Sequence, residues 1–244
     1  MNVLYKIFSY LYIIIFIIII KKSNADEFIV KTRDEFLSTI NSISGNTTIT
    51  VDGHIKFDVE DYIYVTSSTK SGSIILKGID RKRSIIDFSK RKIGFIFENV
   101  TSVEVFDLTF YGLLRFSKLD DFVYVHDIDH VGLVDTYGTT DEGYIRFKNY
   151  KFTSNDQEIR AKSVQFTNGG RVFIEDSDFT SSIGCTEALV RYNGKNSDMH
   201  EFTVNNSVFN GEHFCNGIIV QVGNFTLNDS RFFNGFSRKQ GYGK

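Results

Sequence analysis

The sequence predicts an all-β protein built as a solenoid. Its composition is rich in Phe, Tyr, Ile and Val and contains neither Pro nor Trp, and the abundant types fit a pleated, half-buried strand surface. One spacing recurs along the chain: apolar, any, apolar, any, Asp or Asn, any, any, Phe. Alternating apolar residues have the period of a strand, and the Asp or Asn that follows suits a turn. The copies span residues 103–110, 145–152, 172–179, 202–209 and 225–232.

The repetition predicts how the chain packs. Copies recur at roughly 20 to 30 residues, which is typical of solenoids, because one unit cannot bury its own apolar face and stacked neighbours bury it together. Residues 95–107, 123–135 and 164–176 also align without a gap. This alignment predicts a unit of two strands joined by an Asn or Asp corner. Between Gly138 and Phe179 the sequence leaves open whether there is one unit with an excursion or two units.

The first 25 residues are typical of a secretory signal peptide. An apolar run over residues 7–20 is followed by a small-residue cleavage site at residues 23–25. The run is shorter than the roughly 20 residues that a membrane-spanning helix requires. A retained signal anchor is the alternative, because Lys21 and Lys22 follow the run. We therefore expect a single mature domain, residues 26–244, that is secreted or held at the cell surface.

Secretion would make five Asn-X-Ser/Thr triplets acceptors for N-linked glycans. Such triplets also arise by chance in an Asn-rich chain, so some of them can remain unmodified. The acceptor residues are Asn46, Asn99, Asn205, Asn224 and Asn228.

The two cysteines, Cys185 and Cys215, lie in adjacent copies of the repeat. An oxidising compartment would allow them to pair. A bridge that closes a loop of this length contributes about 3 to 4 kcal/mol to stability. The alternative is two buried free thiols, and the sequence does not decide between the two.

A short helix is predicted before the repeats. Thr32-Arg33-Asp34-Glu35 is a capping box, in which the Thr hydroxyl and the Glu carboxylate satisfy free amides at a helix start. Phe36, Leu37, Ile40 and Ile43 follow at helical spacing and form one apolar stripe. Because a solenoid needs its open end covered, we expect this helix to cap the N-terminal end of the repeats.

Strand and turn segments follow the capping helix in a recognisable order. They are Thr48–Ile55, Ile75–Ile79, Ile86–Phe88 and Asn99–Val105. With these segments, residues 25–110 resemble the N-terminal part of a right-handed parallel β-helix of the pectin lyase-like superfamily. The repeat pattern extends the resemblance over nearly all of the mature chain, and it indicates the superfamily fold but no single member.

The segment from Arg115 to His130 is the candidate catalytic site if the chain is an enzyme. Ile128-Asp129-His130 is similar to the core of a pectate lyase motif, although the flanking Trp and Cys of that motif are replaced. The resemblance implies a lyase or hydrolase acting on acidic polysaccharide; in a lyase, carboxylates hold calcium and an Arg removes a proton. The candidate residues are Arg115, Asp121, Asp127, Asp129 and His130. The alternative is a solvated acidic turn.

The repeated Asp and Asn residues have a structural explanation. Both types tolerate the left-handed conformation and bond to nearby backbone, so turn geometry explains them better than stacked calcium ligands do. The repeated Phe is explained as a stacked core. We therefore expect no cofactor, with calcium only under the lyase alternative. The predicted corner residues are Asn99, Asp107, Asp127, Asp135, Asn149, Asn168, Asp176, Asn206 and Asp229.

The functional expectation is a binding or structural module without a catalytic site, with a polysaccharide or cell-surface glycan as a partner. The net charge of −2 indicates no overall attraction to nucleic acid, and no membrane contact is expected after signal cleavage. Beyond Phe232 the sequence offers neither another repeat nor a capping helix. An open end exposes unpaired backbone groups, so we expect that the tail covers it, that another copy completes it by self-association, or that the chain is truncated there.

Overall fold

The computed structural model describes residues 25–68, 72–139, 143–157, 160–194 and 200–235, which contain one α-helix and 20 β-strands. Every strand pairing among these residues is parallel. The predicted all-β class is confirmed, and the pairing is compatible with a parallel β-helix. The signal-peptide prediction concerns residues that lie, except for Ala25, outside the described ones. Within the described ranges, none of the helical structure is long and apolar enough to cross a membrane.

The helix α1 spans Arg33–Asn41. The strands are β1 (Asp26–Val30), β2 (Thr47–Val51), β3 (His54–Phe57), β4 (Ile63–Thr66), β5 (Ser73–Gly78), β6 (Ile85–Phe88), β7 (Gly94–Glu98), β8 (Ser102–Phe106), β9 (Thr109–Leu119), β10 (Phe122–Thr139), β11 (Tyr144–Ser154), β12 (Arg160–Gly169), β13 (Arg171–Glu175), β14 (Asp178–Thr180), β15 (Cys185–Gly194), β16 (Glu201–Asn205), β17 (Val208–Asn210), β18 (Asn216–Val220), β19 (Asn224–Asn228) and β20 (Arg231–Phe233).

The strands form three parallel ladders. Ladder I contains β1, β2, β5, β8, the first part of β10, the first part of β11, β13, β16 and β19. Ladder II contains β3, β6, the first part of β9, the middle of β10, the second part of β11, β14, β17 and β20. Ladder III contains β4, β7, the second part of β9, the last part of β10, β12, β15 and β18.

The chain passes through ladders I, II and III in turn and then returns to ladder I. We call each passage a circuit and number it by its strand in ladder I, so that β1 opens circuit 1 and β19 opens circuit 9. Circuit 5 is the single long strand β10, and circuit 6 consists of β11 and β12. The stretch from Gly138 to Phe179 therefore contains one complete circuit, and Phe179 lies in the next one.

In-register pairing stacks the inward side chains of each circuit on those of the next. The clearest row runs through ladder II and consists of Phe110, His130, Phe152, Phe179, Phe209 and Phe232. The rings of Phe179 and Phe209 lie 5.0 Å apart, and those of Phe209 and Phe232 lie 4.9 Å apart, with planes inclined by 8° in both pairs. The predicted stacked Phe core is confirmed, and His130 takes the place of one Phe in it.

The predicted two-strand unit is wrong, because a full circuit crosses three ladders. Val123 pairs with Val103 in ladder I, whereas Phe95 pairs with Leu114 in ladder III. The segments beginning at Phe95 and Val123 therefore align in sequence but occupy different ladders. All three ladders share the same alternation of apolar residues, so the spacing alone does not tell them apart.

A column of left-handed residues turns the chain from ladder I into ladder II. Asn206 Nδ2 donates to Asp176 Oδ1 at 2.8 Å, and Asn149 donates in the same way to Asp127. These contacts and the positive φ angles confirm the turn explanation for the column. Asp135 was placed wrongly at a corner, because it lies within β10 in ladder III. The column consists of Asp107, Asp127, Asn149, Asp176, Asn206 and Asp229, with φ between 45° and 55°.

Helix α1 closes the N-terminal end of the core, as predicted. The backbone N–H of Glu35 donates to Thr32 Oγ1 at 3.3 Å, and the N–H of Thr32 donates to the Glu35 carboxylate at 3.2 Å. The ring of Phe36 stacks on Phe95 at 5.0 Å and meets Phe57 edge-on at 5.5 Å. The apolar stripe of the helix therefore packs against the aromatic core of circuits 2 and 3.

A disulfide links circuits 7 and 8. Cys185 begins β15 in circuit 7, and Cys215 immediately precedes β18 in circuit 8. The two residues are bonded, with their Cα atoms 5.8 Å apart, and both are fully buried. This is the pairing that the sequence allowed, and it ties neighbouring circuits together at one corner.

The opposite end of the ladders is open in the described part of the chain. Phe225, Leu227 and Phe232 occupy inward rows, yet each is 42–43% exposed. No strand among the described residues pairs with the outer edge of β19 or β20. Apolar side chains that the next circuit would cover are thus exposed at this end.

The first prediction concerns the stacked core. Phe179→Ala should lower the free energy of unfolding by about 3 to 5 kcal/mol, because it removes a buried ring from between two others. Urea denaturation followed by circular dichroism measures the change. Ile183→Ala is the control: this side chain is 57% exposed, so its truncation should cost less than about 0.5 kcal/mol. Equal losses in the two variants would contradict the assignment of the Phe column to the core.

Candidate functional site

Of the five predicted site residues, the structure brings only Asp127 and Asp129 together. Arg115 lies on the outer side of ladder III, where its Nη2 donates to Asp135 Oδ2 at 2.9 Å. The guanidinium carbon lies 5.2 Å from the ring centre of Tyr62 and 5.5 Å from that of Tyr137. Asp121, which lies just before β10, is exposed, and its backbone N–H donates to the carbonyl of Thr101 at 2.9 Å.

Asp127 and Asp129 lie together at the turn from ladder I to ladder II, on either side of Arg81. The Arg81 Nη2 is 3.5 Å from Asp127 Oδ1, and its Nη1 is 3.3 Å from Asp129 Oδ1. Asp127 also accepts hydrogen bonds from His126 and Asn149. Burial opposes the ionisation of Asp127, but these hydrogen bonds outweigh it and lower its pKa. The two carboxylates therefore stabilise the turn by binding Arg81 from both sides.

His130 is a buried member of the Phe column. Its Nε2 donates to the carbonyl of Gly112 at 2.8 Å, and its Nδ1 accepts from the hydroxyl of Tyr150. One donor and one acceptor nitrogen are the pattern of a neutral imidazole. Burial lowers the pKa of His130 to about 4. The side chain has no access to solvent, so it can neither exchange protons with a substrate nor contact one.

These placements separate the residues that a calcium-dependent lyase would have to bring together. Arg115 faces outward from ladder III, His130 faces inward from ladder II, and the acidic pair lies at the corner between ladders I and II. Within the described residues, no three His, Cys, Asp or Glu side chains are grouped so that they could hold a metal ion. The geometry therefore gives no support to a calcium-dependent lyase built from this segment.

The outer side of ladder I in circuits 4 to 7 offers a different candidate, which we call the aromatic face. In-register pairing sets its outward side chains in rows across four strands. All of them are half-buried except Arg171, which is exposed. The face consists of Glu104 and Phe106 in β8; Phe122, Tyr124 and His126 in β10; Tyr144, Arg146 and Lys148 in β11; and Arg171, Phe173 and Glu175 in β13.

Neighbouring rings on the aromatic face lie close to one another. Phe106 stacks on His126 at 4.7 Å, and the His126 ring is 4.2 Å from that of Tyr124. Phe122 and Tyr144 stack at 5.6 Å, with their planes inclined by 12°. Cross-strand aromatic pairs of this kind stabilise a sheet, and here they also hold the rings in fixed positions at the surface.

Ion pairs occupy the spaces between the rings. Arg146 donates to the Glu175 carboxylate through Nε at 3.0 Å and through Nη2, and its guanidinium carbon lies 5.6 Å from the Tyr124 ring centre. The hydrogen bond to Glu175, which outweighs the effect of burial, raises the pKa of Arg146. Arg171 lies 5.7 Å from the centre of Phe173. A groove of about 260 Å³ opens here, lined by Tyr144, Arg146, Arg171, Phe173 and Glu175.

This arrangement can bind a ligand that has both apolar and polar faces. The π face of a ring is negative, and it attracts the weakly positive C–H groups of a flat ligand. The guanidinium and carboxylate groups beside it can bond to hydroxyl groups. Small-molecule sites commonly combine such apolar surfaces with a few placed polar groups.

The aromatic face was not predicted from the sequence. Its members occupy the unspecified positions of the repeat, between the inward apolar residues. A signal was present, because aromatic residues recur at those positions in 104–106, 122–126, 144–148 and 171–175. Only the register of ladder I shows that these positions adjoin one another.

The expected glycan acceptors lie along ladder I or beside it. Asn46 and Asn99 precede β2 and β8, while Asn205, Asn224 and Asn228 lie in β16 and β19. All are exposed except Asn205, which is half-buried and accepts a hydrogen bond from Asn228 Nδ2 at 2.8 Å. None belongs to the aromatic face, so glycans at these positions would leave its rings in place.

No protein-family model matches the chain, and the search of curated proteins likewise finds no match. The interpretation of the aromatic face therefore rests on its own side chains. Their positions follow from the register of the four strands that carry them.

The second prediction concerns the pH dependence of stability. His130 has a folded pKa of about 4, below the value of 6.5 for an unperturbed His. The contribution of the neutral His130 to the free energy of unfolding should be complete above about pH 6.5. It should be lost progressively as the pH falls toward 4, by an amount on the order of 3 kcal/mol. Urea denaturation at pH 7.5, 5.5 and 4.5 measures this slope of the free energy of unfolding against pH.

His130→Phe is the matched variant, because it restores the ring of the column without a titratable group. It leaves the Tyr150 hydroxyl without its acceptor, so its stability at neutral pH should fall. Its loss of stability between pH 7.5 and 4.5 should nevertheless be smaller than that of the natural chain. The same slope in both proteins would show that His130 is not the group responsible.

Proposed function

We propose that the chain is a secreted or cell-surface glycoprotein that binds carbohydrate through its aromatic face. The observation that carries this proposal is the set of half-exposed rings fixed across circuits 4 to 7 beside paired charges. Sugar rings present C–H groups on their faces and hydroxyl groups at their edges. A surface of rings bordered by charged groups is complementary to both.

A fold-level proposal accompanies this function: the three ladders wind as a right-handed parallel β-helix similar to the pectin lyase-like superfamily. Three observations support this fold: the capping helix, the return of the chain to ladder I after each circuit, and the column of left-handed residues at one corner. Crossover connections between parallel strands are right-handed in nearly all proteins. A rigid rod of this type would hold a flat outer surface in a constant shape.

The secretory part of the proposal is supported by the sequence and by the exposure of the acceptor residues. A signal peptide over residues 1–25 would deliver the mature chain to an oxidising compartment, in which the bond between Cys185 and Cys215 is stable. Asn46, Asn99 and Asn224 are exposed, as glycan attachment requires. The lyase or hydrolase alternative lacks comparable support, because its candidate residues lie at separate places.

The third prediction tests the aromatic face. Tyr144→Ala and Phe173→Ala should each weaken glycan binding about tenfold, which corresponds to about 1.4 kcal/mol. A glycan array identifies ligands of the natural protein, and calorimetric titration measures the affinity of each variant. Tyr64→Ala is the matched control, since this ring is 53% exposed but lies on ladder III. Loss of binding in the control, with binding retained in the other two, would place the site elsewhere.

A second candidate role is self-association through the open end of the ladders. Phe225, Leu227 and Phe232 expose apolar surface next to the unpaired edges of β19 and β20 in the described part of the chain. Unpaired strand edges with apolar side chains are templates for pairing with another chain. We propose a second copy of this chain as the occupant, seated on circuit 9.

The fourth prediction tests this association. Light scattering over a range of protein concentrations should show dimers of the natural chain, and Leu227→Lys should abolish them by placing a charge in the contact. Ile29→Lys is the control, because Ile29 is 67% exposed at the opposite end of ladder I. A monomer at all concentrations, or dimers that persist in Leu227→Lys and vanish in Ile29→Lys, would contradict the proposal.

A further inference from the structure

We infer that the aromatic face binds an uncharged polysaccharide chain that runs across the strands, from circuit 4 to circuit 7. This inference rests on the proposed function and specifies its ligand. It has two parts, the direction of the ligand and its charge, and each part follows from a different feature of the face.

The direction follows from the distribution of the rings. Each strand of the face contributes only one to three rings, but the set extends over four strands: Phe106, then Tyr124, then Tyr144, then Phe173. Adjacent strands are about 4.8 Å apart. A ligand that contacts rings of all four strands must therefore cross the strands. A ligand that followed β10, the strand with the most rings, would contact its three rings but would leave those of the other three strands uncontacted.

The charge follows from the ion pairs of the face and its border. Arg146 is bound through two nitrogens by Glu175, His126 Nε2 is 3.1 Å from Glu104, and Arg171 donates to Glu201 at 3.1 Å. With the two bordering residues Lys77 and Glu201 included, the surface has four cationic side chains, Lys77, Arg146, Lys148 and Arg171, and three anionic ones, Glu104, Glu175 and Glu201. The surface is therefore close to balanced in charge, and both of its arginines are engaged by carboxylates.

The pairing of both arginines disfavours an acidic ligand. A sugar carboxylate could reach Lys148 without breaking a pair, but to bind either arginine it would need to displace Glu175 from Arg146 or Glu201 from Arg171, and it would then lie beside the displaced carboxylate. Truncating or displacing one partner of a paired charge costs free energy because the other is left unpaired. Single-stranded nucleic acid is disfavoured for the same reason, since its stacking sites normally lie in positively charged grooves. A neutral sugar can bond to the paired charges without separating them.

The test compares neutral and acidic oligosaccharides of matched length on the full mature chain. The probes are cello-, xylo- and manno-oligosaccharides on one side and oligogalacturonates on the other, titrated by calorimetry. For at least one neutral series, affinity should rise with each added sugar until the chain spans the four circuits of the face, and then level off. Between roughly 0.01 M and roughly 1 M salt this affinity should change less than about twofold, because no charge is neutralised on binding.

A gain-of-binding variant tests the role of the ion pairs. The double substitution Glu175→Gln and Glu201→Gln removes two negative charges and leaves each guanidinium group with at most a neutral amide oxygen in place of its carboxylate, so it should create measurable affinity for oligogalacturonates that high salt weakens at least tenfold. Glu60→Gln is the control, because it removes a carboxylate that pairs with Lys90 away from the face. It should leave the preference for neutral sugars unchanged.

The outcomes separate this inference from the proposed function. Salt-sensitive binding of oligogalacturonates by the natural chain, lost in Tyr144→Ala, would overturn the neutral ligand while preserving the aromatic face as a glycan site. Neutral binding that does not strengthen with length would overturn the orientation across the strands. No binding of any glycan, with folded protein confirmed by circular dichroism, would overturn the proposed function and the inference together.

Discussion

In-register parallel pairing between circuits is the constraint on which the rest of the structure depends. Successive side chains point to opposite faces of a strand. The pairing of Val103 with Val123, and of Val123 with Ile145, therefore determines which residues of these strands are buried and which meet solvent. A slip of one residue would exchange the two sets throughout the strand. The stacked Phe core, the left-handed corner and the aromatic face are three consequences of one register.

The same constraint explains why the polar residues that looked catalytic have structural roles. Asp127 occupies the left-handed position between ladders, where it binds Arg81 and the neighbouring Asn149. His130 occupies the position that a Phe holds in the adjacent circuits, and its two nitrogens bond to Tyr150 and to the Gly112 carbonyl. Functional chemistry is then left to the outward positions, which the core does not restrict. These positions carry the rings and ion pairs of ladder I.

The sequence predicted the elements whose residue types are dictated by local geometry. The apolar alternation, the Asp or Asn corner and the capping box were visible because strand period, left-handed backbone and free helix amides each favour few residue types. One strand of each circuit was missed: the aligned units 95–107 and 164–176 lie in ladders III and I, and the short ladder II strand that carries the Phe was not predicted as a strand. Residues 123–130 repeat the spacing with His130 in place of Phe, so the buried position of His130 could have been inferred. The aromatic face could not, because rings 20 or more residues apart in sequence adjoin only in the correct register.

The most direct test of this account is a disulfide between paired positions on the aromatic face. Arg146 pairs with Phe173 in ladder I, whereas Glu175 pairs with Lys148, and directly paired Cα atoms are close enough for a bridge. Mild oxidation of the double variant Arg146→Cys, Phe173→Cys should therefore give an added disulfide, detected by mass spectrometry of peptides. The offset variant Arg146→Cys, Glu175→Cys should not form one. A bridge in the offset variant and none in the paired one would contradict the register, and with it the aromatic face.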